Sequence, residues 1–143
     1  MTRVRTSLTI AAPPERVWRI LTDFPAYSEW NSVIRRLRTE ARVGAPVRFA
    51  IKLEGLPPIP FAAKVSRCEP GRSFGWRGGA PLFPALAWAE HYFLLEPSGD
   101  GTLVDHREDF HGALGLLMRG PALDRVTRTY DGFNRALKAR AEP

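Results

Sequence analysis

Three side chains in this sequence are of the types that move protons or anchor a polar group: His91, His106 and Glu108, with Glu90 and Asp109 beside them. An imidazole titrates near neutrality and can accept through one nitrogen while donating through the other. A carboxylate beside it can orient the ring and stabilise its charged form. On one apolar wall, such a group could transfer a proton as a general acid or base. It could equally fix strand register and meet the polar end of a bound molecule, since structural networks gather the same residue types. Two histidines and a carboxylate also form a possible metal set, but paired strands produce that coincidence often. We expect no metal and no cofactor. The motifs of nucleophile elbows, phosphate loops and dinucleotide folds are missing from the sequence.

Strand alternation decides which of these groups point inward. Thr102, Val104, His106, Glu108 and Phe110 share one face; Leu103, Asp105, Arg107 and Asp109, mostly charged, read as facing solvent. In the preceding run, the face of Ala87, Ala89, His91, Phe93 and Leu95 carries no acid and is assigned inward, leaving Trp88, Glu90, Tyr92, Leu94 and Glu96 outward. We expect Leu95 beside Thr102, Phe93 beside Val104 and His91 beside His106. Pairing Pro97 with Thr102 is the alternative, read here as leaving the inward faces out of step. A slip of one residue would turn His91 outside.

The elements that must position these residues follow from periodicity. Residues 3–11 alternate, with Val4, Thr6, Leu8 and Ile10 on one side, which predicts a half-buried strand. Residues 13–23 suit a short helix with proline in its first turn, and 26–32 a second one. Strands are predicted over 34–41, 46–53, 61–68, 74–77, 88–96 and 102–110, separated by turns and by two proline-rich loops, 55–60 and 80–87. From 112 to 141, Leu114, Leu117, Met118, Pro121, Val126, Tyr130, Phe133 and Leu137 recur at helical steps, with Gly120-Pro121 expected to kink or split the helix. This order predicts an α+β fold: an antiparallel sheet of about seven strands, covered by the one helix long enough to do so. No repeat or linker divides the chain, so 1–143 is expected to be one domain.

Composition bounds the partners. With 143 residues the chain can bury a sizeable core. A formal charge of +6, from 21 Lys+Arg against 15 Asp+Glu, suits anionic groups, but the arginines are scattered apart from Arg35, Arg36 and Arg38. Nothing accompanies them that resembles a nucleic-acid reader, so none is expected. The one cysteine, Cys68, reads as a small apolar filler. The N-terminus lacks a signal-peptide core, and no stretch reaches the length of a membrane span, which predicts a soluble, cytoplasmic protein, monomer or homodimer.

The chain also resembles a known family. The matching residues are Ala12-Pro13-Pro14-Glu15-Arg16-Val17-Trp18, Leu21-Thr22-Asp23, Tyr27-Ser28-Glu29-Trp30-Asn31, Glu90-His91-Tyr92-Phe93, Gly99-Asp100-Gly101-Thr102, His106 through Gly112, and Asn134 through Lys138. They are similar to the polyketide cyclase/dehydrase and lipid-transport branch of the START-like (SRPBCC) superfamily. The resemblance implies a helix-grip fold, a curved sheet wrapped around the C-terminal helix and an apolar cavity. It points to binding of a small hydrophobic or aromatic molecule, lipid or polyketide-like, with a cyclase or dehydratase using His106, Glu108 and His91 as the alternative. Phe49, Ile51, Phe61, Trp76, Phe93, Phe110, Met118, Tyr130 and Phe133 are expected to line the cavity with those three, and Ile59, Leu82, Phe83 and Leu86 to rim its mouth. Trp18 and Trp30 are expected to belong to a helical plug.

Overall fold

The computed structural model describes residues 1–79 and 82–143. Its elements run β1 (Thr2–Ile10), α1 (Pro14–Thr22), a 3-10 turn (Phe24–Ala26), α2 (Tyr27–Trp30), β2 (Ile34–Arg38), β3 (Pro46–Ile51), β4 (Ile59–Glu69), β5 (Ser73–Gly79), β6 (Ala87–Ser98), β7 (Gly101–Gly112), α3 (Ala113–Leu117) and α4 (Pro121–Ala141). The strands form one antiparallel sheet in the order β1-β7-β6-β5-β4-β3-β2. Joining β1 to β7 places the first and last strands side by side, with Thr6 opposite His106. The proline-rich loop expected at 55–60 is shorter, because β4 already begins at Ile59; of the loop expected at 80–87, Ala80 and Pro81 lie outside the described residues. The strand expected over 34–41 stops at Arg38, after a register shift against β3.

Short-range chemistry sets the helical pieces. Pro14 occupies the first turn of α1, where its missing N–H has no partner to lose. Val17 and Leu21, four residues apart, are both fully buried. Asn31 ends α2: its Nδ2 donates to Tyr27 O at 2.7 Å and its Oδ1 accepts from the Val33 and Ile34 amides. Trp30 packs on Phe133 and Trp18 on Phe74, so this segment closes one end of the concave side.

The C-terminal helix is split as expected, α3 ending at Leu117 and α4 starting at Pro121 after Gly120 at φ +53. At about 1.5 Å per residue, the 21-residue α4 is roughly 30 Å long. Val126, Tyr130, Phe133 and Leu137 are its buried stripe, while Leu117 and Pro121, expected on the same stripe, are exposed. For Leu117 the break explains this: it lies in α3, before the Gly120-Pro121 interruption, so the periodicity of α4 does not extend to it, while Pro121 is the first residue of α4, five positions before Val126 and off its stripe. Among the described residues, no helix is long and apolar enough to cross a membrane.

The sheet's two faces differ from expectation on one side. The inward face is apolar around the polar residues that alternation assigned to it. The outward face at β7 was expected to be solvated, yet Asp105 and Asp109 are buried. Arg3 forks onto both oxygens of Asp109, at 2.5 and 2.9 Å, and Arg5 onto both of Asp105. Tyr92 OH adds a bond to Asp109 at 3.2 Å, and the Arg67 guanidinium lies 3.9 Å from the centre of the Tyr92 ring. Arginines cover these carboxylates, and against the opposing effect of burial they hold both acids below their ordinary titration range, Arg107 and then Arg5 acting on Asp105 and Arg3 on Asp109. Gly75, opposite Tyr92 on β5, is required here: a Cβ would stand 2.5 Å from Tyr92 Cβ and 2.6 Å from His91 O.

Candidate functional site

The register of β6 on β7 places the polar groups. Pro97 pairs with Thr102, Leu95 with Val104, Phe93 with His106 and His91 with Glu108. The expected pairing of His91 with His106 is therefore wrong by two residues. The turn sets this: Ser98 pairs with Gly101 across a two-residue loop in which Gly99 adopts φ +58, as a glycine-first hairpin turn requires. A shift of two keeps every side chain on its face, whereas a shift of one would not. His91, His106 and Glu108 accordingly all face α4.

Although not direct partners in the ladder, the two histidines meet diagonally. Their Nε2 atoms are 2.7 Å apart and their rings are perpendicular, at 4.7 Å between centres. His106 is 0% exposed and His91 4%. From α4, Asn134 reaches His106 Nδ1 through its Oδ1 at 2.8 Å, and its Nδ2 donates to Thr6 Oγ1 on β1 at 2.7 Å. Four residues from three strands and one helix thus form a continuous buried chain. Tyr130, one turn before Asn134, stacks on His106 at 4.4 Å and donates its hydroxyl to Glu108 Oε2. Trp76 on β5 stacks on His91 at 4.6 Å, and Phe93 fits between His106 and Phe133.

In this hydrogen-bonded series, His91 Nδ1 is buried and has no hydrogen-bond partner among the described residues. A buried polar nitrogen left without a partner costs about 1–3 kcal/mol.

Burial sets the charge states. It holds His106 neutral down to about pH 4, although Asn134 and Asp105 favour the charged ring. His91 is also held well below the ordinary histidine range, first by burial and then by repulsion from His106. Burial raises Glu108 to about 7, against the opposing bond from Tyr130 and with help from Asp109. At neutral pH both rings are uncharged and Glu108 is poised between its two forms.

The concave side is filled unevenly. Toward the α1 end, Ile10, Leu21, Val47, Phe74, Leu95, Val104 and Leu137 are tightly buried. At the opposite end Ile51, Leu53, Ala89, Leu114, Met118 and Leu123 are only half-buried around Val4, Phe110, Val126 and Tyr130, and Glu108 is half-buried too. Phe49 is half-buried, and Phe61, stacked on it at 5.6 Å, is 48% exposed. Leu82, Phe83 and Leu86 stand exposed at this end, as do Leu116 and Leu117 of α3, which adjoins the loop through the Ala113 N–H to Leu86 O bond. Ile59 is a half-buried strand residue at the same end.

Of the expected lining residues, Trp76, Phe93, His91, His106, Phe110, Tyr130 and Phe133 are buried; Phe49, Ile51, Glu108 and Met118 are half-buried; Phe61 is exposed. Sequence reasoning missed the role of Asn134 and Thr6. The signal was there for Asn134, a polar residue inside an apolar helical stripe between Phe133 and Leu137.

A curved antiparallel sheet gripping one long helix, with a polar network buried between them, defines a helix-grip protein of the START-like class. The chain belongs to the polyketide cyclase / dehydrase and lipid transport family, whose model matches residues 1–142. No curated protein sequence matches it. Among solved structures it is similar to a START superfamily protein from Mycobacterium smegmatis, at 23% identity and TM-score 0.76, over 97% of this chain and 96% of that one. The protein TTHA0849 from Thermus thermophilus matches at 20% identity and TM-score 0.75, over 98% and 97% of the two chains. The Aha1 dimer from Colwellia psychrerythraea matches at 20% identity and TM-score 0.73, over 99% and 97%. Likenesses this distant in sequence carry the fold.

Proposed function

We propose that the protein binds a small hydrophobic or aromatic molecule between the sheet and α4, entering at the end bordered by Leu82, Phe83, Leu86 and α3. The observation that carries this reading is the unpartnered, buried His91 Nδ1. The half-buried apolar residues of the same end supply the route, and exposed leucine and phenylalanine at its border are costly to leave in water unless they cover something. His106, with both nitrogens engaged inside the protein, acts through His91 by holding its ring.

Native mass spectrometry of the purified protein tests this. A retained small apolar molecule is expected, and its loss in His91→Phe with the fold intact by circular dichroism. A wild-type protein that retains nothing and takes up none of a panel of aromatic and lipid probes would sink the reading. Substituting Leu82 and Phe83 together with serine should slow uptake severalfold while changing stability by no more than about 0.5 kcal/mol, since both are exposed. Unfolding of that variant with unchanged uptake would show that the loop is structural.

A second reading, a cyclase or dehydratase, is favoured by Glu108, whose carboxyl titrates at about 7, where a general acid or base works best. In that case Glu108→Gln abolishes turnover while the molecule still binds. Equal turnover in the variant removes the enzyme reading and leaves the binding one.

A further inference from the structure

The hydrogen-bond chain has a direction. Asn134 donates from Nδ2 to Thr6 and so presents its oxygen to His106. His106 must therefore carry its proton on Nδ1, and being neutral it has only one. Its Nε2 is then an acceptor, and the 2.7 Å contact requires His91 to donate from Nε2. His91, also neutral, has no second proton. Its unpartnered Nδ1 is thus a lone pair.

We infer that His91 Nδ1 is a specificity determinant that selects aromatic molecules carrying a hydroxyl hydrogen, over their ethers and carboxylates. This rests on the binding function proposed above. A phenol or aromatic alcohol donates O–H to Nδ1 and leaves no polar atom unpaired. A methyl ether or ketone brings a second lone pair to the first. A carboxylate does the same and also meets Glu108, the cross-strand neighbour of His91 on the same face. The aromatic half follows from the path to this atom. Exposed Phe61 stacks on Phe49, Phe49 lies 5.3 Å from Trp76, and Trp76 stacks on His91 at 4.6 Å. A row of aromatic side chains runs from the open end to the acceptor, and a molecule that displaces or extends this packing replaces ring–ring contacts best if it is itself aromatic.

The proposal is tested with 2-naphthol, 2-methoxynaphthalene and 2-naphthoate titrated into the full chain by calorimetry at pH 7. The naphthol should bind about tenfold or more tighter than the ether, the effect of satisfying one buried acceptor, and the naphthoate should bind weakest. In His91→Phe the preference for naphthol over the ether should vanish. Because that variant also leaves His106 Nε2 unpaired, the nitrogen-15 resonance of His91 Nδ1 in the wild-type protein provides a second readout: it should move with naphthol and stay with the ether. Equal affinity for naphthol and ether, or an unmoved Nδ1 resonance, overturns the selection and leaves the binding function standing. No binding of any of the three overturns the selection, and failure of the lipid probes as well overturns the binding function with it.

Discussion

Replacing Asn134 with leucine should lower the protein's stability by about 4 kcal/mol, at near-constant side-chain volume. Among the described residues, this amide is the one hydrogen-bonded link from α4 to His106 and Thr6, both buried. Leucine strands the His106 Nδ1–H and removes the donor to Thr6 Oγ1, and each orphaned buried group costs about 1–3 kcal/mol. For a chain of this length that corresponds to a fall in Tm of roughly 10 °C. Asn134→Asp is the informative partner. A carboxylate can still accept from His106 Nδ1 and from the Thr6 hydroxyl, and it favours the charged imidazole. His106 should then titrate above its present value of about 4, as read by NMR. Thermal and denaturant unfolding measure the first effect. An Asn134→Leu protein within about 1 kcal/mol of wild type would mean that water satisfies these groups and the network is not the keystone of the helix–sheet contact.

The second large effect is a change in the pH dependence of stability. Glu108 is raised from 4.5 to about 7, so between those values the folded chain holds a proton that the unfolded chain has lost. Its contribution therefore falls as pH rises through that window, by roughly 3 kcal/mol in all. The histidines act oppositely. His106 drops from 6.5 to about 4 and His91 falls well below 6.5, so below 6.5 the unfolded chain binds protons that the folded chain refuses. Between 4.5 and 6.5 two histidines outweigh one carboxyl, and stability rises with pH. From 6.5 to about 7 the carboxyl acts alone, and stability falls. Asp105, Asp109 and Glu90, all lowered, add to the loss on the acid side. A maximum near pH 6.5 is expected.

Glu108→Gln keeps a carbonyl to accept from Tyr130 and abolishes the falling limb. At pH 8 it should exceed wild type by about 2–3 kcal/mol, a Tm gain of several degrees, and at pH 4.5 the two should agree. A variant no more stable than wild type at pH 8 would show that the carboxylate is solvated where it stands.

The sequence by itself determined the elements and most of their faces. Alternation of apolar residues along β1, β6 and β7 is a local property with a period of two, so it assigned His91, His106 and Glu108 to the inner face without any knowledge of partners. The i, i+3, i+4 spacing of Val126, Tyr130, Phe133 and Leu137 set the buried stripe of α4, and Gly120-Pro121 its start. The tertiary structure decided what lies next to what. The Gly99 turn shifted the expected pairing of β6 and β7 by two residues, invisible to alternation because the faces are unchanged. Burial of Asp109 depended on Arg3, and that of Asp105 on Arg5 beside its strand neighbour Arg107, with Arg3 and Arg5 arriving from β1 about a hundred positions away. The link from Thr6 to Asn134 spans 128 positions, and only closure of the sheet between β1 and β7 brings them together over His106. Local periodicity reports where a side chain points. Which lone pair is left without a donor depends on contacts between distant segments, so only the folded chain singles out His91 Nδ1.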